Sequence, residues 1–401
     1  MDHRLRKPLV SGQLGIAASK ASHFLHIFPH FGYGGPPIRI ANVINHFGPR
    51  YRHTIFALDG NMASGSRLDP ALGVRLADPG IDKRKPIGAL LAIRLHLAAE
   101  RPDLLLTYNW GSVEWALVNT VIRAAPHVHF ESGFGPDEAE RQIPRRIWAR
   151  RVALLGAHCL LVPSFTLVAI ARDIWRLDPA KIRHVPNGVD CALFAAAGDP
   201  AAAAGFVLRA DELVVGTVAP LRHEKNLARL LRAFAGLTYR GKVRLLIAGD
   251  GPDRPALQAL AAELGITDRV SFVGHVEEPH KVYPLMDIFA MSSDTEQMPN
   301  TLLQAMAASR PVASVDIGDV RAILPPENAA LIAPRGDEAG LAALIDRLLA
   351  DRGLRERLAA ANRRHVVATY SKERMYAAYG ALFDEAIATG ARGARAAETA
   401  R

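Results

Sequence analysis

The sequence predicts an α/β protein built as two doubly wound domains facing a cleft, and three observations carry that prediction. At 401 residues the chain exceeds one ordinary core and suits two domains of about 150–200 residues each. Short apolar runs of strand length alternate with segments of helical periodicity through both halves, the pattern of parallel βαβ units. One stretch, Leu285–Asp316, writes such a unit in full. Ile288-Phe289-Ala290-Met291 is short enough for a buried strand, and Ser292, Ser293, Asp294 and Thr295 form a loop of turn and cap residues. Glu296 and Gln297 then precede Met298-Pro299-Asn300-Thr301, where a proline is tolerated in a first helical turn. Leu302, Leu303, Met306 and Ala307 recur at helical spacing, and Ser309-Arg310-Pro311 stops the helix before a strand over 312–315.

The loop of this unit falls at the carboxyl end of a strand, where doubly wound sheets bind ligands. A helix N-terminus offers free N–H groups and partial positive charge to a phosphate or a hydroxyl. Glu296 beside it repels an anion and would accept hydrogen bonds from neutral hydroxyls. The combination suits a nucleotide sugar better than a bare nucleotide; the alternative is a glutamate that only caps the helix.

Composition narrows the class. A hydrophobic fraction of 49% with 22% charged residues is that of a globular protein. No run reaches the ~18 apolar residues of a membrane span, and the basic N-terminus lacks the continuous apolar core of a signal peptide. Cys159 and Cys191 have no metal-ligand spacing and read as thiols in a reducing compartment. The net charge of +9 is uneven: residues 1–194 hold 24 Lys and Arg against 15 Asp and Glu, and residues 195–401 hold 25 of each. The first half therefore attracts something anionic. With no nucleic-acid-binding pattern, an anionic membrane face or a phosphate-bearing lipid-linked acceptor is the better partner.

In the first half, residues 1–21 read as a lead-in and His23–Phe28 as the first strand. A glycine-rich loop with Gly34 and Gly35 follows, then a helix over 38–47; the loop suits either a phosphate or a plain strand-to-helix turn. Strands follow at 53–58 and 74–76, a helix at Pro86–Glu100, and a strand at 103–107 ending in Tyr108-Asn109-Trp110-Gly111. Asn109 there is a candidate for an acceptor wall, while Trp110 and Trp115 serve that wall or the core equally well. His129 and Glu131, at the end of the strand over 128–130, share one strand face. Arg141–Leu155 is a basic helix, at a membrane surface or simply packed with a solvated basic face. A strand over 159–162, a helix through Trp175 and a strand at 182–185 lead into Pro186-Asn187-Gly188-Val189-Asp190.

In the second half, a strand over 212–218 runs through Leu221-Arg222-His223-Glu224-Lys225 into a helix at Leu227–Ala235. An Arg fork and a Lys point charge on such a loop can clasp a diphosphate, or they are two unrelated surface charges. Strands at Val243–Ala248 and Val270–Gly274 flank a helix over 255–264, and His275 closes the second strand. Helices over 340–350, 354–369 and 372–388 complete the chain before a frayed tail at 391–401.

Taken in this order, the Glu296 segment resembles the E-x7-E signature of retaining glycosyltransferases of family 4, whose fold is GT-B, with two Rossmann-like domains. The resemblance implies that Glu296 and the backbone of Gln297, Met298, Pro299, Asn300 and Thr301 contact the donor sugar and its phosphates. The second, ribose-binding glutamate is replaced by Gln304, which keeps hydrogen bonds but not their charge-assisted strength. Leu221 and Lys225 match the family's phosphate clamp, but Pro220 stands where an Arg is usual, with Arg222 two residues on. Gly34-Gly35 resembles the loop beside the donor diphosphate, and either His129 or Glu131 stands nearest the family's catalytic histidine. The site of His275 is where the family seats the base, and the run from Pro186 to Asp190 resembles the one that closes the first domain.

The implied organisation is a lead-in at 1–21, an acceptor-side domain at 22–194, a nucleotide-sugar-binding domain at 195–370, a returning helix at 371–390 and a tail at 391–401. The implied activity is transfer of a sugar from a nucleoside diphosphate sugar to a glycan or lipid-linked acceptor, with retention. No cofactor or metal is expected, since the chain has no D-x-D motif. The expected setting is cytoplasmic or peripheral at the inner membrane face, with no nucleic-acid partner. Rival readings are a non-catalytic nucleotide-sugar binder, a GT-B epimerase, and an oxidoreductase disfavoured by the absence of G-x-G-x-x-G.

Overall fold

The computed structural model describes residues 21–138 and 141–399. Near-continuous apolar runs cannot leave either face in water, so they assemble as buried parallel strands covered by helices on both sides. The first sheet holds β1 (Ser22–Phe28), β2 (Tyr51–Ala57), β3 (Arg75–Ala77), β4 (Leu104–Tyr108), β5 (His127–Phe130), β6 (Cys159–Val162) and β7 (Ile182–His184), in the order β3-β2-β1-β4-β5-β6-β7. Its helices are α1 (Gly35–Phe47), α2 (Pro86–Glu100), α3 (Val113–Ile122), α4 (Pro144–Ala153) and α5 (Phe165–Ala169). The second sheet holds β8 (Leu213–Val218), β9 (Val243–Ala248), β10 (Val270–Gly274), β11 (Ile288–Met291) and β12 (Val312–Ser314), in the order β10-β9-β8-β11-β12. Its helices are α6 (Leu227–Ala235), α7 (Arg254–Glu263), α8 (Asn300–Ala307), α9 (Val320–Ile323), α10 (Pro326–Ala329), α11 (Glu338–Ala350) and α12 (Arg352–Thr369). The last helix, α13 (Lys372–Thr399), leaves this domain.

Both sheets reverse their order once, between β1 and β4 and between β8 and β11. Those two crevices, at the carboxyl ends of the strands, are where such sheets bind ligands. α1 begins three residues earlier than its periodicity predicts, because Pro36 and Pro37 occupy first-turn positions that need no N–H partner.

The chain crosses between domains earlier than residue 194. Val189, Cys191 and Phe194 already belong to the second core. Val189 donates to the Tyr370 carbonyl and accepts from Lys372 N, both at 2.9 Å. The strand-like bridge of Val189 with Ser371 thus joins the outgoing and returning chain. Gly188 passes so close that a Cβ there would lie 2.7 Å from Lys372 Cα, which explains the glycine of the 186–190 run. The returning helix does pack on the first domain, setting Met375, Tyr379 and Phe383 among Phe24, Tyr108 and Phe130. It continues to Thr399, so the expected fraying from residue 391 is not what is found; the lead-in through residue 20 lies outside the described residues.

The basic helix over 141–155 is neither a solvated nor a membrane-lying face throughout. α4 turns Arg150 into the core at 1% exposure. There it pairs with Glu138 at 2.9 Å and sits over the rings of Trp110, Phe134 and Trp175. Trp110 is thereby a packing partner of Arg146 and Arg150, and Trp115 is fully buried.

Five buried imidazoles thread the first sheet; His23 meets Thr54 Oγ1 at 2.9 Å, and the other four form two groups. On one face His26 meets Tyr108 Oη and His53 Nδ1, each at 2.9 Å. On the other, Thr107 Oγ1 lies 2.7 Å from both His127 and His129. Burial holds His53 down to about 4, His127 to about 3, and His26 and His129 well below the usual value. Each is neutral when folded but protonates in the unfolded chain below about pH 6.5, so each costs about 1.4 kcal/mol per pH unit as pH falls below that value. The melting temperature is expected to drop between pH 6.5 and 5, above the range of ordinary carboxylates. A flat profile over that window in a thermal melt series would refute the neutral assignment.

Candidate active site

Two loops from neighbouring strands build one side of the cleft. The loop after β8 carries Arg222, Glu224 and Lys225; the loop after β11 carries Ser292 to Glu296. Asn226, in the left-handed region at φ 41°, caps α6 by accepting from Arg229 N and donates to Asp294 at 2.8 Å. Arg229 donates to the Ser292 carbonyl at 2.8 Å and pairs with Asp294 at 2.7 Å. Asp294 N donates to the Glu224 carbonyl at 2.9 Å. So laced, the loops set Lys225 Nζ 2.6 Å from Glu296 Oε1, which also accepts from Ser293 Oγ at 3.0 Å. Arg222 is 60% exposed, its guanidinium 3.7 Å from Glu224, free to turn into the cleft.

Arg222, Glu224, Lys225, Ser292, Ser293 and Glu296 wall a cavity of about 380 Å³ together with Gly35, Pro220, Met298, Pro299, Asn300 and Thr301. The N-terminus of α8 opens into it: Pro299 precedes the helix without a side-chain cap, so first-turn N–H groups remain for an anion. A second cavity of about 920 Å³ shares Gly35 and Asn300 and runs between α1 and the loop after β10, past His275 and Gln304. Gln304 spends its carbonyl on Tyr283, whose buried hydroxyl donates at 2.8 Å. It therefore offers the cavity amide donors, where the resemblance had an acceptor carboxylate.

The domains are bridged at two places. Arg39 of α1 donates to Asn187 Oδ1 and, at 2.8 Å, to Ser132 Oγ, while Asn187 Nδ2 donates to Asn300 Oδ1 at 2.9 Å. A Cβ on Gly35 would lie 3.4 Å from Asn300 Nδ2. Further along, Asp319 accepts from Thr166 N at 3.0 Å, Thr166 Oγ1 at 2.6 Å and Phe165 N. It thus caps α5 of the other domain. Its neighbour Gly318, at φ 53°, would place a Cβ 2.1 Å from the Glu296 carbonyl oxygen; no side chain fits there.

Comparison with known proteins identifies the family of the chain. Residues 33–193 match the family described as Glycosyltransferase Family 4, and residues 202–365 match Glycosyl transferases group 1. The lipopolysaccharide core biosynthesis glycosyltransferase LpsD of Rhizobium meliloti is 31% identical over 261 residues, covering 62% of this chain and 74% of LpsD. The chain belongs to glycosyltransferase family 4. A D-inositol 3-phosphate glycosyltransferase of Stackebrandtia nassauensis is 27% identical over 310 residues, 71% of this chain and 70% of that protein. In fold, the crystal structure of Anabaena HepE in complex with UDP superposes with a TM-score of 0.74 at 16% identity, over 91% of this chain and all of that one. The architecture of this glycosyltransferase is GT-B.

The glycosyltransferase brings most of the expected residues together and leaves others apart. Gly35, Arg222, Lys225, Glu296, Met298, Pro299, Asn300 and Thr301 line the smaller cavity, and Gln304 lines the larger one. Gly34 and Gln297 line neither; Gln297 faces Ser164 at 3.5 Å across the cleft. Asn109 is a strut, not an acceptor wall: its Oδ1 accepts from Ser132 N at 2.9 Å. His129 and Glu131 are fully buried and line neither cavity. The same alternation that puts them on one strand face turns that face toward α4, where Glu131 lies 3.6 Å from Arg150. Burial, opposed by Arg150, raises Glu131 to about 7. Both residues belong to the domain interior, so neither reaches a donor in this arrangement.

Arg39, Asn187, Tyr283 and Asp319 were not singled out from sequence. The only signal was indirect, in the 186–190 run and in Gly318. Replacing Asp319 with alanine leaves the α5 N–H groups without their partner. Asp319→Ala is expected to lower kcat/KM at least tenfold and to raise the radius of gyration in X-ray scattering. Unchanged scattering and turnover would show that the cap does not hold the domains together.

Proposed function

We propose that this glycosyltransferase moves a sugar from a nucleoside diphosphate sugar to a hydroxyl of a glycan or lipid-linked acceptor, with retention and without a metal ion. The observation that carries the reading is the convergence of Lys225, Arg222 and the open N-terminus of α8 on one cavity, with Glu296 at its edge. Departure of the sugar leaves negative charge on the diphosphate, and two cations with fixed backbone N–H groups stabilise it as it develops. Glu296, held by Lys225 and Ser293, is better placed to orient a sugar hydroxyl than to attack carbon. That favours same-face attack with the leaving diphosphate as base.

Gln304 and the loop from His275 frame the space for ribose and base, and Gln304 donates to a ribose oxygen. The two cavities meet at Gly35 and Asn300, which leaves room for a second substrate and favours transfer over epimerisation. UDP in the HepE crystal makes uridine the first base to try. Work at the cytoplasmic face of a membrane, as a peripheral protein, is part of the proposal. Among the described residues no helix is long and apolar enough to cross a bilayer, and the positive excess lies wholly in the first 194 residues.

Calorimetric titration in EDTA with UDP, GDP and ADP is expected to show micromolar binding of one nucleotide, weakened at least tenfold by Lys225→Ala. Binding only when a divalent ion is added, or equal binding by the variant, would overturn the metal-free clamp. Glu296→Ala is expected to cost ~10² or more in turnover, the scale of a lost transition-state contact, while nucleotide affinity changes little. Near-normal turnover would remove Glu296 from the donor site.

A further inference from the structure

The helix α2 is apolar on every side. Ala89, Ile93 and Leu97 turn inward onto the sheet, yet Ile87, Leu91 and Leu95 on the opposite side are 84, 55 and 62% exposed, with Leu90 at 39%. A helix that is apolar all round is ordinarily buried, and single exposed apolar residues are ordinary only when scattered. Here they follow one another from Ile87 to Leu95 along an outward face of about 12 Å, at 1.5 Å per residue.

The charge around this face is predominantly positive, with Asp82 at 3.0 Å from Arg84 and Glu114 at 3.5 Å from Lys83 as the nearby acids. Lys83, Arg84 and Lys85 precede the helix, Arg94 interrupts its apolar side and Arg101 follows it. Over 83–101 the one acidic residue is Glu100, which is 16% exposed and paired with Arg75. The basic cluster also has a defined position: Lys83 Nζ donates to the Gly111 carbonyl at 2.7 Å, just beyond the carboxyl end of β4. It therefore stands at the edge of the sheet that faces the cleft. Self-association across α2 would set mostly basic groups against basic groups, since the nearby Asp82 and Glu114 are already paired with Arg84 and Lys83. A surface of phosphates over hydrocarbon matches both features.

We propose that the outer face of α2, led by Lys83, Arg84 and Lys85, docks on an anionic lipid bilayer. Ile87, Leu91 and Leu95 enter the headgroup boundary and the basic residues contact lipid phosphates. This deepens the proposed function, since it brings the cleft edge to a lipid-linked acceptor, but the docking itself does not depend on sugar transfer.

Co-sedimentation of the full chain with vesicles tests it. The protein is expected to pellet with phosphatidylcholine vesicles containing phosphatidylglycerol, and at least tenfold less with phosphatidylcholine alone or in high salt. The double substitution Leu91→Glu with Leu95→Glu lies on exposed positions and is expected to reduce pelleting at least tenfold while leaving the melting temperature and nucleotide titration unchanged. Arg84→Glu with Lys85→Glu is expected to flatten the salt dependence. Failure of the wild type to pellet, or equal pelleting of the Leu91/Leu95 variant, overturns the proposal. So does a wild-type dimer in light scattering that the Leu91/Leu95 variant splits, which would make a second copy the occupant. Retained vesicle binding without any nucleotide binding would uphold the surface and refute the donor reading instead.

Discussion

A lysine and a glutamate held 2.6 Å apart at the switch point of the second sheet set the terms for the rest of the cleft. Opposite charges so close satisfy one another, yet each is the group the proposed ligand requires: a cation for phosphate and a carboxylate for hydroxyls. The pair needs fixed backbones, because it is already a direct salt bridge at 2.6 Å and a separation larger by an ångström would leave two charges half-desolvated. That is the physical reason for the lacing of Asn226, Arg229 and Asp294 beneath it and for Gly318 against the Glu296 carbonyl. The loops that carry the chemistry are as firmly built as the strands that present them.

Closure of the two domains is written into the same elements. Asn300 opens α8 and also takes the Asn187 hydrogen bond that leads to Arg39. Asp319 follows the glycine that supports Glu296 and caps a helix of the opposite domain. Groups that shape the smaller cavity therefore also contact the first domain. Such coupling excludes water from the cleft only when both halves are assembled.

The first domain carries a different set of constraints. Its core admits five imidazoles, two glutamates and an arginine, compensated by hydrogen bonds, ring faces or neutralisation. Polar residues on apolar strands read as site candidates from sequence, and here that inference failed for His129 and Glu131. The alternation was right, but it cannot tell a face that lines a cleft from one covered by a helix. Asn109 failed for a related reason: a strand-end asparagine serves the next loop as readily as a ligand.

Much of the architecture was legible along the chain. Strands of four to seven apolar residues, helices with period 3.6 and prolines at helix starts are local signals, and β9, β10, β11, α2 and α6 begin and end where their patterns do. The Glu296 and Lys225 loops were legible as well, because a strand's carboxyl end followed by a helix N-terminus is a local arrangement with its own electrostatics. What the sequence alone determined is thus the set of elements and the groups that gather around the smaller cavity, each encoded within some ten residues. Only the tertiary structure decided which side of the first sheet faces the cleft, that Gln304 spends its carbonyl on Tyr283, that Asp319 caps a helix more than 150 positions away, and that α2 keeps an apolar face uncovered. These depend on contacts between distant segments, and no local periodicity records what lies opposite a face once the chain has folded.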